Sequence, residues 1–302
     1  MRSSRQINRI GHQQKSKTEQ SIRIVGIRKH IVNRLPKRLK SRLRHQLIPD
    51  ETNLVYQTMK AHAASGVMLD VGACMGHAFS SFARDGWTVY AFEPDPVNRT
   101  RLAESWGNTP TVRIDPRAVS NRATSDVPFF RSDVSAGISG LSSFHESHEA
   151  SGTVETTTLD VFCREEQITE VDFLKVDTEG FDLLVLQGMP WPAIAPRVVM
   201  CEFEDNKTVP LGYTFDDLAG YLHERAYHVL VSEWYPIVTY GGPHRWRRFV
   251  PYPCTLADPN AWGNLIAVRD RDDFSRLIEA SKKLAATWHF GTRVQRLLTS
   301  RA

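Results

Sequence analysis

The sequence predicts an α/β protein built on a parallel sheet, and three observations carry that prediction. The apolar run Val67-Met68-Leu69-Asp70-Val71 passes into a loop with glycines four apart, Gly72 and Gly76. A helical pattern then leads to a second apolar run, Trp87 to Phe92, which ends in Glu93 and closes a βαβ unit of the nucleotide-binding kind. A third run, Val171 to Val176, again ends in an acid, Asp177, and is again followed by a helical pattern. Such alternation gives an open sheet whose crevice lies at the carboxyl ends of its strands.

Each element has a local reason. Leu54, Val55, Thr58 and Met59 make a helical face before the first strand at 67–71, and Phe79, Phe82 and Ala83 make another that stops at Gly86. After the second strand, Asp95 has the chemistry of an N-cap and Pro96 that of a first-turn proline, with Gly107 closing the helix. A third strand is predicted near 111–114. Alternating segments at 127–131 and 153–159 then read as strands flanking a Ser/Gly-rich loop, 135–143. The strand at 171–177 leads to a helix that turns Phe181, Leu184 and Val185 inward and ends at Gly188, with Pro190 beyond. Strands follow at 197–203, 227–232 and 264–268. Between the last two lies an aromatic segment, 234–262, that holds Trp234, Tyr235, Tyr240, Trp246, Tyr252 and Trp262. It reads either as a stacking wall for a glycan ring or lipid or as a small satellite core.

Composition sets the class and the boundaries. The chain has 302 residues with a globular apolar fraction and no apolar run of bilayer length, and the stretch Met1 to Lys17, basic and polar, does not read as a secretory signal. Its four cysteines form no C-x-x-C pair, so a reducing cytoplasm is the simplest setting. Residues 1–45 hold fourteen Lys/Arg and one acid, Glu19, which leaves 24 basic against 33 acidic residues elsewhere. The chain therefore divides into a basic, partly amphipathic extension over 1–48, a main domain over 49–270 and a helical tail over 271–302. Pro36 splits the extension into segments near 21–34 and 37–47. The extension reads first as a solvated basic arm that packs loosely on the domain; peripheral contact with an anionic membrane also suits basic residues beside apolar ones, whereas nucleic acid is the poorer partner because the arm lacks aromatic side chains. Nothing in the sequence fixes an oligomeric state.

The glycine loop is one glycine short of the dinucleotide fingerprint G-x-G-x-x-G. A ligand without phosphate, such as S-adenosylmethionine (SAM), needs only the tight turn, and Glu93 is placed to accept from ribose hydroxyls. An acid there serves NAD and SAM alike. The crevice rule nominates Asp70, Glu93, Asp177 and Glu202 as the residues nearest a ligand.

The blocks Leu69-Asp70-Val71-Gly72-Ala73-Cys74-Met75-Gly76, Phe92-Glu93-Pro94-Asp95-Pro96 and Ala118-Val119-Ser120-Asn121 carry a resemblance. They are joined by Thr158-Leu159-Asp160, by Phe173-Leu174-Lys175-Val176-Asp177-Thr178-Glu179-Gly180-Phe181-Asp182 and by Val185-Leu186-Gln187-Gly188. In this order they resemble the FkbM-type SAM-dependent methyltransferases, over about residues 65–206. The resemblance implies a class I methyltransferase (Rossmann-like) fold, a mostly parallel seven-stranded sheet with one antiparallel strand and helices on both faces. It also implies SAM as cofactor and O-methylation of a hydroxyl on a saccharide or secondary metabolite. Asp70, Gly72 and Gly76 would then shape the methionine pocket, Glu93 would hold the ribose, and Ala118 and Val119 would lie near the adenine. Cys74 departs from the family, which usually has Asn there.

Methyl transfer to a hydroxyl needs alignment and a proton acceptor and requires no metal. Asp177 and Glu179 are the candidates for contact with the acceptor hydroxyl. Acids in a first helical turn can also serve only the helix dipole. Asp160 reads as an N-cap, His145 and His148 as flanks of a lid with either able to act as base, and Glu202, Glu204 and Asp205 with Asp177 as a weaker cation set. The alternatives are a nucleic-acid methyltransferase recruited by the arm, a non-catalytic membrane-surface adaptor with the same fold, and an NAD-dependent dehydrogenase.

Overall fold

The structure is a computed structural model that describes residues 49–60 and 64–299, with side chains to residue 288. Two compact units divide the chain, one spanning Asp50–Lys283 and the other comprising residues 1–49 and 284–302. The two segments expected in the basic extension lie outside the described residues. No helix among the described residues is long and apolar enough to cross a membrane.

The unit Asp50–Lys283 is a sheet with helices on both faces. α1 (Glu51–Lys60) leads into β1 (Val67–Val71), followed by α2 (Ser80–Arg84), β2 (Thr88–Phe92), α3 (Pro96–Trp106) and β3 (Val112–Asp115). A side excursion then forms β4 (Ala118–Val119), β5 (Thr124–Ser132) and β6 (His148–Thr157), which make their own sheet in the order β4-β6-β5. The main chain path resumes with α4 (Leu159–Glu165), β7 (Phe173–Val176), α5 (Asp182–Gln187), β8 (Val198–Glu204), α6 (Asp205–Thr208) and α7 (Phe215–His223). It ends with β9 (His228–Trp234), β10 (Trp246–Pro251), β11 (Trp262–Val268) and the long α8 (Arg271–Thr299).

The main sheet has the order β10-β9-β11-β8-β7-β1-β2-β3. β11 runs antiparallel between β8 and β9, the place of the inserted antiparallel strand that the resemblance implies. The sheet has eight strands rather than the seven expected, because the aromatic segment supplies β10, antiparallel to β9 at the edge. Alternation along a strand sorts side chains between the faces. Leu69 and Val71 of β1 join Leu174 and Val176 of β7 in a core that takes in Leu159, Phe162, Leu186, Phe215 and Leu218 from α4, α5 and α7. On the other face Phe173 packs against Phe82 of α2, which itself meets Tyr56 of α1. The same alternation puts Asp70 and Lys175 side by side, since they are register partners in the parallel pair β1–β7.

Of three caps, one is as the sequence reading has it, one corrects it and one extends it. Asp95 caps α3 as expected, accepting from the backbone N–H groups of Val97 and Asn98. α4 is capped by Thr158, whose hydroxyl accepts from Val161 N–H at 3.1 Å, so Asp160 is not the cap. Asp160 sits one turn before Arg164 and pairs with it at 2.8 Å. α7 went unassigned from sequence, although Thr214 and Asp217 form a capping box ahead of the buried stripe Phe215, Leu218, Ala219 and Leu222.

Candidate active site

The loop after β1 is held by its own backbone. Gly72 and Ala73 both donate to the Phe92 carbonyl, at 3.1 and 3.0 Å, and Gly76 donates to the Ala73 carbonyl at 2.8 Å. Cys74 N–H donates to Glu93 Oε2 at 2.7 Å, while Asp95 N–H donates to Oε1 at 2.9 Å. Glu93 is thus fixed by one N–H on each oxygen, and burial pushes its carboxyl up to about 7 against those two bonds. Gly72, Cys74 and Gly76 all have positive φ, and a Cβ on Gly72 would lie 1.9 Å from the Asp177 carbonyl oxygen. The four N–H groups at Gly72, Ala73, Cys74 and Gly76 are therefore committed inside the protein. A pyrophosphate cradle needs such groups turned toward the ligand, so the arrangement is unlike a dinucleotide site. α2 also starts only at Ser80 and is five residues long, so no helix N-terminus follows the glycines directly.

The ends of β7 and β8 carry the acids. Asp70 is fully buried and lies 3.1 Å from Lys175 Nζ, which also donates to the Gly72 carbonyl at 3.2 Å and lies 3.4 Å from Asp177. Burial disfavours the Lys175 charge, but Asp70 and Asp177 outweigh it and hold the proton firmly. A second buried ammonium, Lys207 of α6, lies 2.6 Å from Glu179, 2.9 Å from Glu202 and 2.8 Å from Glu204. The rings of Phe144 and Tyr240 face it at 5.2 and 5.6 Å, and the Tyr240 hydroxyl donates to Glu204 at 2.9 Å. Burial raises the Glu179 and Glu202 carboxyls, and Lys207 opposes the rise. Asp182 is also buried and raised to about 6, accepting from Glu202 N–H at 2.9 Å and the Thr178 hydroxyl at 3.0 Å.

One cavity of about 680 Å³, counted to its open mouth, brings the two halves together. Gly72, Cys74 and Glu93 line it from one side, Ala118 and Val119 from another, and Asp177, Thr178 and Glu179 from a third. Gly137, Ser139, Gly140 and Leu141 of the Ser/Gly-rich loop form its remaining wall. A second hollow behind the glycine loop shares Gly72, Cys74 and Asp177 and adds Glu51, His77, Lys175 and Asn264. Of the residues nominated from sequence, Asp70, Gly76 and Glu202 line neither, and nor do His145, His148, Glu204 and Asp205. Asp70 acts beneath the floor through Lys175, and the hydrogen at Gly76 leaves room for Phe79 and Trp106, which a Cβ would meet at 2.6 and 2.8 Å.

The profile of the methyltransferase FkbM domain matches residues 70–229, which is more than half of the chain. The chain belongs to that family. Hexuronic acid methyltransferase AglP of Haloferax volcanii is 29% identical over 140 residues, 46% of this chain and 56% of AglP, so the chain spans about half the length of that curated relative. Among solved structures, methyltransferase FkbM from Methylobacillus flagellatus KT is 13% identical, with 76% of this chain and 57% of that chain covered and a TM-score of 0.38. Precorrin-6y C5,15-methyltransferase from Geobacter metallireducens GS-15 is 12% identical, with 74% and 91% covered and a TM-score of 0.38.

In this FkbM domain Glu179 is not a first-turn acid. α5 begins at Asp182, and Glu179 sits upstream with φ +58°, buried against Lys207. Non-glycine residues pay for that conformation with strain of about 1–3 kcal/mol, and such strain gathers at functional sites. Asp205 is outside the acid cluster, since it accepts from Phe215 N–H at 2.7 Å. Asp177, Glu179 and Glu202 each bring one oxygen within 4.8 Å of the others, and the Lys207 ammonium already lies against two of the three. Trp234 and Trp246 are core: their indole N–H groups donate to Glu51 at 2.8 Å and to the Ser232 hydroxyl at 3.1 Å. Neither lines the cavity, which favours the satellite-core reading for both. Sequence reasoning missed Lys207, and it placed Tyr240 only in the aromatic segment, without its contacts to Glu204 and Lys207. The only sequence signal for Lys207 is a lysine three residues after Glu204 and five after Glu202.

Proposed function

We propose that this chain is a SAM-dependent O-methyltransferase acting on a hydroxyl of a saccharide or related secondary metabolite. The observation that carries the reading is the single cavity lined by Glu93, by Ala118–Val119 and by Asp177 and Glu179. The commitment of the glycine-loop amides to internal bonds suits a ligand without phosphate, so the residues present fit SAM. Bound there, SAM would supply an electrophilic methyl group on a sulfonium. Glu93 would accept from the ribose hydroxyls, with Gly72 allowing close backbone approach and Ala118 and Val119 flanking the adenine. Glu179 would take the acceptor's proton and Asp177 would orient the hydroxyl. Burial raises Glu179, which makes it a better proton acceptor near neutral pH than an ordinary carboxylate.

The acids also favour a neutral saccharide over a uronate. Lys175 is already held by Asp70 and Asp177, and Lys207 by Glu179, Glu202 and Glu204, so neither ammonium is open to pair with the carboxylate of a uronate. Calorimetry with SAM, followed by mass spectrometry of neutral and uronate saccharides incubated with the protein, tests the assignment. Binding of SAM, a gain of one methylene on a neutral sugar, and a kcat lowered about 10²–10⁴-fold in Glu179→Gln with SAM affinity kept are the expected results. Indifference to SAM together with uptake of a nicotinamide dinucleotide would overturn the reading.

A further inference from the structure

The loop that walls the cavity is paired through its backbone to β5, Gly140 with Phe130 at 2.9 and 3.0 Å, and its two ends are tied together by a side chain that methyl transfer leaves unused. His148, the first residue of β6, accepts at Nδ1 from the backbone N–H groups of Phe144 and His145, at 3.2 and 3.3 Å. Its Nε2 lies 2.9 Å from the Ile138 carbonyl, which can only accept, so Nε2 carries the proton. The imidazole thereby joins the start and the end of the segment that contributes Ser139, Gly140 and Leu141 to the cavity. Phe144 packs edge-on against the same ring, at 4.6 Å, and faces Lys207.

We propose that His148 is a positioning residue that latches loop 138–145 over the cavity, and that it holds the loop only as the neutral imidazole protonated at Nε2. A second proton on Nδ1 would point an N–H at two N–H groups and break both bonds at once. The titratable groups around it do not welcome that proton. His145 of the same loop is 6.2 Å away ring to ring, Lys207 approaches from α6, and Tyr240 lies beyond His145. Burial lowers the His148 pKa in the same sense, while the bond to Ile138 pulls the other way. The latch is therefore closed at neutral pH and opens as the pH falls below the ordinary histidine range. The proposal holds for whichever ligand the cavity takes.

Nitrogen-15 NMR of histidine-labelled full-length protein reads the tautomer, and amide hydrogen exchange over a pH series reads the latch. We expect a bare Nδ1 at neutral pH. Protection of the Phe144 and His145 amides should drop about tenfold on acidification, the worth of one lost hydrogen bond, after correction against Gly72 and Ala73. His148→Ala should lose that protection at every pH. His148→Asn, whose Oδ1 can stand in for Nδ1, should keep it in acid. A proton on Nδ1 at neutral pH, or Phe144 and His145 amides that track Gly72 and Ala73 throughout, would overturn the proposal. Both measurements decide it on the native protein even where the alanine variant does not fold.

Discussion

The two halves of the cavity fix their carboxylates by different means. On the β1–β2 side, Glu93 hangs on the N–H groups of Cys74 and Asp95, and the loop beneath it is closed by backbone bonds to Phe92. On the β7–β8 side, Glu179, Glu202 and Glu204 share one lysine that comes from a later element, with Tyr240 from a more distant loop resting on it. The first half tolerates changes of side chain as long as the backbone path survives. The second half depends on a single ammonium, and losing it leaves several charges stranded together.

The sharpest way to break that contrast is Lys207→Met. Removing one partner of a buried ion pair costs about 3–5 kcal/mol, so thermal unfolding at pH 8 should show a large loss of stability. The loss should shrink at pH 5, because Glu179 and Glu202, already raised by burial, take up protons once their counter-ion is gone. A Met variant as stable as the wild type at both pH values would mean that the acids do not rely on Lys207. Gly72→Ala comes next. It puts a Cβ 1.9 Å from the Asp177 carbonyl at a φ of +79°, and strain plus overpacking are worth about 2–4 kcal/mol. Calorimetry should also show SAM binding lost, since the chain must shift where the two halves meet.

This difference explains what was legible in the sequence. Gly72, Glu93 and Asp95 act within about twenty residues of one another, and a glycine loop followed by an acid at a strand end is a local pattern. The α3 cap followed from the same kind of signal, whereas the inserted antiparallel strand of the sheet came from the family resemblance. Lys207, Tyr240 and Glu51 work through partners brought together by the sheet, and Glu51 bonds to Ser232 and Trp234 across more than 180 residues of sequence separation. Periodicity cannot see such pairs. β10 was hidden for another reason: Trp246, Arg247, Arg248 and Phe249 show no clean alternation, because a register shift falls between Trp246 and Arg248. Asp70 looked like a ligand contact because it closes an apolar run, yet alternation turns it onto Lys175.

Glu93→Ala tests the first half at its one side chain. Hydrogen bonds to a charged group are worth about 1.5–3 kcal/mol, so SAM affinity should fall about ten- to a hundredfold by calorimetry, with a modest change in stability. The pH dependence follows from the sign of the shift. Glu93 binds its proton more tightly in the folded protein, up to about 7, than in the unfolded chain. Its contribution to stability is complete below about 4.5 and is lost as the pH rises through about 7. SAM affinity should move the opposite way, rising over that interval as the carboxylate becomes the better acceptor. Denaturation and calorimetry at pH 5, 6, 7 and 8 should give curves that cross, and parallel curves would show that Glu93 does not meet the ligand.

The smallest expected effect is the most specific to the backbone half. Cys74 sits at φ +49°, a conformation in which Asn is several-fold more common than most residues, so Cys74→Asn should stabilise the fold by about 0.5–1 kcal/mol. What Cys74 gives Glu93 is its main-chain N–H, and the substitution preserves that donor. SAM affinity should therefore stay within about twofold, since no hydrogen bond is lost. Alkylation of the wild-type thiol should be slow, because burial and then the Glu93 charge both raise its pKa. A tenfold change in affinity in Cys74→Asn would place the side chain itself in the binding surface, and the division between a backbone-held and a lysine-held half would have to be redrawn at this residue.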